Sequence, residues 1–379
     1  MNGAPDVTVL IASLAGGGAE RVCLSLCNGW ARTGLKVELV LAKAVGTYLS
    51  SLHPRVRVID LKASRALTSF LPASRILRVS PTVPVLIFGF EYGFGLAAMK
   101  RAGWIKSRLI YREGNSPFAN VKPYLRFGYR ALIAHADVVI AQNPSIRLEL
   151  ERLGVASSKI RVIPNPIHEL SPGLEARIQT SASEGMMILA MGRLEPQKAF
   201  DRLIRAFANF QRAKPEARLV ILGEGAERPR LEQLVQSVAL NKRVLMPGFV
   251  NGPLEWLLKA DLFVLSSKFE GQPNALMEAI LHEVPVLCAQ GQGGAADLMK
   301  ECGLEDCLVP HSEFEVSFCS AVNYVLGKDP TCWKKAKERL MGLANPDKVS
   351  RAYLEACSLG DSAIQLTGQM FAPGAAGTK

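Results

Sequence analysis

The sequence predicts an α/β protein made of two successive doubly wound, parallel-sheet domains. Three observations lead there. Short continuous apolar runs alternate with helical patterns up to residue 163, a proline-punctuated stretch interrupts them, and the alternation restarts at 187. Apolar runs separated by helices read as a parallel sheet covered on both faces. A length of 379 residues suits two cores better than one.

In the first half the expected strands are 7–13, 36–42, 56–61, 83–88, 108–112, 138–141 and 160–163, with helical spacing of three and four over 20–32 and 145–153. Pro164, Pro166 and Pro172 then punctuate a polar, weakly periodic stretch, which marks a linker over 166–185 between domains 1–165 and 186–345. In the second half strands are expected at 187–191, 218–222, 244–246, 262–265, 286–288 and 307–309. Helices are expected at 201–213, 227–238, 252–260, 273–281 and 313–326. Residues 346–379 are expected to hold a final helix, which can cross back to the first domain, and a poorly ordered tail. In such folds a ligand sits at the carboxyl ends of the strands, here in a cleft between the two domains.

Composition narrows the function classes. Hydrophobic residues make up 49% and charged residues 21%, so large cores can form and a disordered body is excluded. The net charge of +11 favours anionic partners. From Lys62 to Arg130 twelve Lys and Arg face only Glu91 and Glu113, a local positive field that also suits an ordinary solvated face. Nucleic-acid binding is not expected, because aromatics are only 7% and none interleave with the bases in a recognised module. Eight scattered cysteines without a C-x-x-C read as reduced thiols in a cytoplasmic protein. Asp6 interrupts the start, so no secretory leader is expected, and no apolar run spans a bilayer. Residues 64–80 place Leu67, Phe70, Leu71 and Leu77 among Arg65, Arg75 and Arg78. That pattern fits a crossover helix, weakened by Pro72, or an amphipathic helix on an anionic membrane.

Four loops carry candidate chemistry. Gly16-Gly17-Gly18-Ala19-Glu20-Arg21 follows the first strand, where a glycine turn entering a helix offers backbone amides to a phosphate. Arg21 stands where a dinucleotide fingerprint needs its third glycine, and tight strand–helix packing explains the glycines equally well. Gly192-Arg193-Leu194 with Lys198 ends the first strand of the second domain. Two cations there can neutralise a diphosphate without a metal. Gly223-Glu224-Gly225 reads better as a tight turn. Finally, Glu270 precedes and Glu278 lies within a helix expected to start at Pro273, whose first amides from Gly271 to Asn274 suit an anion. Two unrelated surface glutamates would look the same.

Together, Glu270 and Glu278 with seven residues between them, Gly192-Arg193-Leu194 with Lys198, and Gly17-Gly18-Ala19-Glu20-Arg21 resemble the retaining glycosyltransferases of family 4, which have the GT-B fold. The resemblance runs to about Cys357, through Asn165-Pro166-Ile167, Gly223-Glu224-Gly225, residues 260–266 and Gly293-Gly294. It implies two Rossmann-like domains facing each other across a cleft. It implies catalytic roles for Arg193 and Lys198, on the leaving diphosphate, and for Glu270, on sugar hydroxyls. Donor-binding roles fall to Gly17, Gly18, Gly271, Asn274, Ala275 and Glu278, with Glu278 on the ribose.

The implied substrate is a nucleotide-diphosphate sugar, a UDP-sugar ahead of a GDP-sugar, with no other cofactor and no metal. The implied acceptor is a glycan or a lipid-linked sugar in surface polysaccharide or lipopolysaccharide synthesis, at the inner face of the cytoplasmic membrane. The alternatives are a nucleotide-sugar epimerase or hydrolase of the same fold, or a silent binding subunit. Three positions depart from the family pattern: Ala199 and Glu283 stand where glycine is usual, and Gly114 stands where many relatives carry histidine. No general base is assigned.

Overall fold

The computed structural model describes residues 4–63, 69–121, 126–167, 185–250 and 252–359. Most of the expected linker (168–184), part of the candidate amphipathic segment (64–68) and the tail from 360 lie outside the described residues. The chain divides into two compact units, Met1–Pro166 with Ala344–Lys379, and Ile167–Leu343.

In unit 1 the elements run β1 (Val7–Ile11), α1 (Gly18–Arg32), β2 (Val37–Leu41), β3 (Arg57–Asp60), α2 (Phe70–Val79), β4 (Val85–Phe88), α3 (Phe90–Arg101), β5 (Leu109–Glu113), α4 (Pro117–Asn120), α5 (Arg126–Ile133), β6 (Val138–Ala141), α6 (Pro144–Arg152) and β7 (Ile160–Val162). The sheet order is β3-β2-β1-β4-β5-β6-β7, parallel throughout. Order reverses between β1 and β4, which is the switch point of a doubly wound sheet. Each sheet face has its own core. Val9, Leu39 and Trp30 pack on one side and Leu10, Val40 and Tyr92 on the other, which is why the strands read as unbroken apolar runs.

Several helices escaped sequence pattern. α3 contains Gly95, where a Cβ would lie 2.4 Å from Phe70 Cγ, so its glycine serves close packing against α2. Pro72 does not break α2, because it falls in the first turn, where a backbone N–H has no intrahelical partner to lose.

In unit 2 the chain continues as β8 (Met187–Met191), α7 (Phe200–Ala213), β9 (Arg218–Leu222), α8 (Arg228–Ser237), β10 (Val244–Gly248), α9 (Leu254–Lys259), β11 (Leu262–Leu265), β12 (Phe269–Glu270), α10 (Asn274–Leu281), β13 (Val286–Gln290), β14 (Gln292–Gly293), α11 (Gly294–Glu301), β15 (Leu308–Pro310), α12 (Phe314–Leu326) and α13 (Thr331–Ala344). The main sheet is parallel, in the order β10-β9-β8-β11-β13-β15, with its switch point between β8 and β11. A separate two-stranded parallel ribbon joins β12 to β14.

The last helix, α14 (Pro346–Ala356), belongs to unit 1. Asn345 caps it by accepting from Lys348 N at 3.0 Å. Val349, Tyr353 and Leu354 enter the α1-side core, and Trp30 Nε1 donates to Ser350 Oγ at 2.8 Å.

Candidate active site

In unit 2 the loops after β8 and β11 flank the switch point, and they bring Lys198 to Glu270. Nζ lies 2.6 Å from Oε1, with the side chains 17% and 8% exposed. Ser267 Oγ donates to the same Oε1 at 2.6 Å, and Ser266 Oγ donates to the Lys198 carbonyl at 2.8 Å. Backbone ties complete the frame: Lys268 N donates to Gln197 O at 2.8 Å, and Gln197 Nε2 donates to Phe269 O at 2.8 Å. The cation and the carboxylate are therefore held by neighbours that already satisfy them, so their geometry is set before any ligand arrives.

Glu270 is not in the loop that sequence reading assigned to it. It lies on β12, pairing with Gly293 of β14. Gly293 has a φ of +89°, and a Cβ there would lie 2.1 Å from the Glu270 carbonyl oxygen; at Gly291 it would lie 2.4 Å from that of Lys268. These two glycines let a second chain segment press against the backbone that carries Glu270. Sequence reasoning named Gly293 only as a supporting phrase and missed Gly291. Two closely spaced glycines directly after one apolar run were the available signal.

Pro273 is the N-cap of α10, so the helix begins at Asn274, one residue after the expected start, and the Pro273 carbonyl accepts from Leu276 N at 3.0 Å and Met277 N at 3.1 Å. Gly271 is buried just before it, Asn274 and Ala275 form its first turn, and Glu278 is buried inside it. Arg193 projects from the loop after β8, two-thirds exposed, and pairs with Glu195 at 2.9 Å. It is held by one partner and reaches solvent, whereas Lys198 is locked.

Gly223-Glu224-Gly225 is a packing turn, as its sequence suggested. A Cβ on Gly223 would lie 2.0 Å from the Gly192 carbonyl oxygen, and one on Gly225 would lie 2.4 Å from that of Leu194. Leu194 N in turn donates to Glu224 O at 2.8 Å. The turn thus props the loop bearing Arg193 and Lys198.

Two departures from the glycine pattern have a common physical cause. Ala199, the N-cap of α7, has a φ of +50°, and Glu283, just past α10, has a φ of +58°. Both occupy the left-handed region, where a side chain costs about 1–2 kcal/mol and glycine does not. Glu283 also reaches Lys337 at 2.8 Å.

In unit 1, Gly17 caps α1 and Gly18 begins it, at the carboxyl end of β1. A Cβ on Gly17 would lie 2.4 Å from Glu20 Oε2, so a carboxylate of the first turn covers this N-terminus. The supporting loop is Gly46, at a φ of +126°, where a Cβ would lie 2.0 Å from Leu14 O. Sequence reasoning missed it, since nothing local distinguishes it from any turn glycine.

At the end of β5, Arg112 and Glu113 are both buried, on opposite faces. Tyr129 OH donates a short hydrogen bond to Glu113 Oε2, Tyr111 OH donates to it at 3.2 Å, and Asn115 N donates to Oε1 at 3.2 Å. Burial still pushes the Glu113 carboxyl above its ordinary range, against these hydrogen bonds and the nearby Arg112 charge. The cysteines are all free. Burial raises the thiols of Cys302, Cys307 and Cys357 to about 12, so these three carry no reactive thiolate. Among the described residues no helix is long and apolar enough to cross a membrane.

Comparison with known proteins agrees across both units. The model described as glycosyl transferases group 1 matches residues 175–309, and that described as glycosyl transferase 4-like domain matches 17–166. The N-acetylgalactosamine-N,N'-diacetylbacillosaminyl-diphospho-undecaprenol 4-alpha-N-acetylgalactosaminyltransferase of Campylobacter jejuni is 28% identical over 310 residues, 76% of this chain and 82% of that protein. A second Campylobacter jejuni enzyme, an alpha-1,4-N-acetyl-D-galactosaminyltransferase named for a diNAcBac-PP-undecaprenol-linked substrate, is 26% identical over 85% of this chain and 89% of its own. Among solved structures, HepE of Anabaena in complex with UDP-glucose superposes with a TM-score of 0.78 at 18% identity, over 94% of this chain and 100% of that one. WaaG, a glycosyltransferase involved in lipopolysaccharide biosynthesis, gives 0.70 at 16% identity, over 91% and 98%. The two parallel-sheet units, the two family models that match them in order, and the glycosyltransferase relatives make this chain a member of the group 1 glycosyltransferases, a sugar-transferring enzyme of GT-B fold.

Proposed function

We propose that the enzyme moves a sugar, with retained configuration, from a nucleotide-diphosphate sugar to a glycan or lipid-linked acceptor in surface polysaccharide or lipopolysaccharide assembly. The observation that carries the donor half is the preset Lys198–Glu270 pair at 2.6 Å beside the switch point of unit 2. In this reading Glu270 accepts hydrogen bonds from donor-sugar hydroxyls, Glu278 holds the ribose, and the turn entering α10 at Gly271, Asn274 and Ala275 faces the phosphates. Lys198 and the exposed Arg193 stabilise negative charge as it grows on the departing diphosphate. That electrostatic effect is commonly the largest contribution to such a step. Two cations supply this charge without calling on a metal. In unit 1, the amides of Gly17 and Gly18 at the start of α1 suit an anion once the Glu20 side chain swings aside. A UDP-sugar is the favoured donor, and HepE, which shares the fold, is known in complex with UDP-glucose.

The lipid-linked acceptor is supported by the names of the two Campylobacter relatives. A membrane-facing surface fits the same reading. Leu71, Arg75, Arg78 and Val79 are exposed along one face of α2, at the spacing of a single helical stripe, and Trp104 is exposed after α3. Such a stripe would hold the enzyme peripherally at the inner face of the cytoplasmic membrane.

A thermal-shift screen of nucleotide-sugars tests the donor reading, because a bound donor raises the melting temperature by mass action. A UDP-sugar should stabilise the protein, and Glu278→Ala should reduce that shift at equal donor concentration. No shift with any UDP- or GDP-sugar would remove the basis for the donor site.

A further inference from the structure

The carboxylate of Glu270 takes both of its hydrogen bonds on one oxygen. Lys198 Nζ lies 2.6 Å from Oε1, and Ser267 Oγ donates to the same Oε1 at 2.6 Å. Among the described residues Oε2 has no hydrogen-bond partner, and it is not sealed from solvent. Ser267 is 3% exposed and Glu270 6%, so the arrangement is part of the interior and not a surface contact.

A carboxylate has two equivalent oxygens, and the terminal torsion of a glutamate is broad and roughly two-fold. A single donor would leave the group free to turn about that bond and present either oxygen. Two donors that reach the same oxygen from different chain segments remove this freedom. Lys198 comes from the loop after β8 and Ser267 from the loop after β11. Ser266, the preceding residue, donates to the Lys198 carbonyl at 2.8 Å. Consecutive serines thus hold the backbone of the cation and the oxygen that the cation shares. Gly192 adds a constraint on the lysine itself. A Cβ there would lie 3.0 Å from Lys198 Cε, so its absence lets the lysine stem lie against the backbone.

The oxygen left over can only accept, because an ionised carboxylate carries no proton. Its fitting partner is a hydroxyl, bound by a short charge-assisted hydrogen bond, whereas a phosphate is repelled from it. We infer that Ser267 is a positioning residue, which holds Oε1 so that Oε2 receives one hydroxyl of the donor sugar in a single orientation. This rests on the reading of unit 2 as the donor site, with Glu270 on the sugar. Ser267 acts on the substrate only through Glu270. A serine that merely satisfied its own buried hydroxyl would not distinguish a nucleotide with its sugar from one without.

The test is calorimetric titration of the full chain with UDP-glucose, UDP-galactose, UDP-GlcNAc and UDP-GalNAc, each against UDP, and with GDP-mannose against GDP. For a donor that binds the wild type, Ser267→Ala should weaken the nucleotide-sugar about tenfold, the scale of one hydrogen bond to a charged group. Affinity for the bare nucleotide should not change, because it has no sugar for Oε2 to hold. Ser267→Cys, which keeps a weaker donor at the same place, should fall between the two. The monodeoxy analogues of that donor complete a cycle. The analogue lacking the hydroxyl that Oε2 accepts should bind the wild type and Ser267→Ala equally.

Equal weakening of nucleotide and nucleotide-sugar would overturn the inference and give Ser267 a purely structural role. So would unchanged binding of both, or a loss that persists with every monodeoxy analogue. Should Ser267→Ala fold poorly, Ser267→Cys carries the same comparison. A wild type that binds none of these nucleotide-sugars would defeat the donor reading and this inference with it. A wild type that binds one, without the selective loss in the variants, would defeat the inference alone.

Discussion

Replacing Glu270 by glutamine keeps the shape of the side chain and removes its charge. Ser267 Oγ can still donate to the amide oxygen, so the main loss is the anion 2.6 Å from Lys198 Nζ. Removing one member of a fully buried pair costs about 3–5 kcal/mol. Lys198 keeps 17% of its side-chain surface in contact with solvent. Screening through that surface lowers the expected cost to about 2 kcal/mol. For a unit of this size that corresponds to a melting temperature lower by about 4–8 °C.

Calorimetry or a dye-based melt reads this directly. Lys198→Met combined with Glu270→Gln removes both charges and should recover most of the loss, because no buried ammonium is then left unpaired. Sugar transfer should stay low in the double variant. Recovery of stability without recovery of turnover would separate the structural role of the pair from its chemical one. A single variant with unchanged melting and turnover within threefold of the wild type would refute the reasoning.

Lys198→Ala should mainly lower turnover, by about 10²–10³-fold if the ammonium stabilises charge growing on the leaving group. Glu278→Ala should instead weaken donor affinity about tenfold or more, on the scale of hydrogen bonds to a charged group; steady-state kinetics and donor titration separate the two. At the left-handed position 283, Glu283→Gly should raise stability by about 0.5 kcal/mol, since strain relief exceeds the added freedom of the unfolded chain and the loss of the exposed Lys337 pair. Glu283→Val, measured in the same melts, should lower it by about 1 kcal/mol, since a β-branched residue fits this region worst.

Glu113 sets a pH dependence. Its carboxyl titrates above 4.5 in the folded protein, so the native state holds the proton more tightly than the unfolded chain. The resulting stabilisation is complete below the unfolded value and is lost as pH rises from there through the folded value. Glu113→Gln has no such loss, so its melting temperature should gain on the wild type as pH rises from 4 to 8. Parallel curves would contradict the assignment. Finally, co-sedimentation with anionic but not neutral vesicles at physiological salt is expected if the α2 stripe meets a membrane, and Arg75→Glu with Arg78→Glu should abolish it.

The sequence by itself determined the doubly wound plan of each unit, a sheet between two layers of helices. Strands buried on both faces must be apolar at every position, and that pattern reads without knowledge of neighbours, as the alternate packing of Val9 and Leu10 to opposite cores shows. It also marked the loops after β1, β8 and β11, because a glycine turn between an apolar run and a helix is a local feature. Glu270, Glu278, Arg193 and Lys198 were legible as residue types at spacings.

What the sequence could not show is which of those groups touch. Lys198 and Glu270 are 72 residues apart. Only the parallel pairing of β8 with β11 sets their loops side by side. The ribbon that moves Glu270 out of its expected loop depends on Gly291 and Gly293, which lie beyond the helix that follows it. α3 was hidden for a related reason, since Gly95 is chosen for its contact with Phe70 and lowers the helical signal of its own segment. Local pattern reports what a residue needs from its own element, while long-range strand order decides which residues share a site.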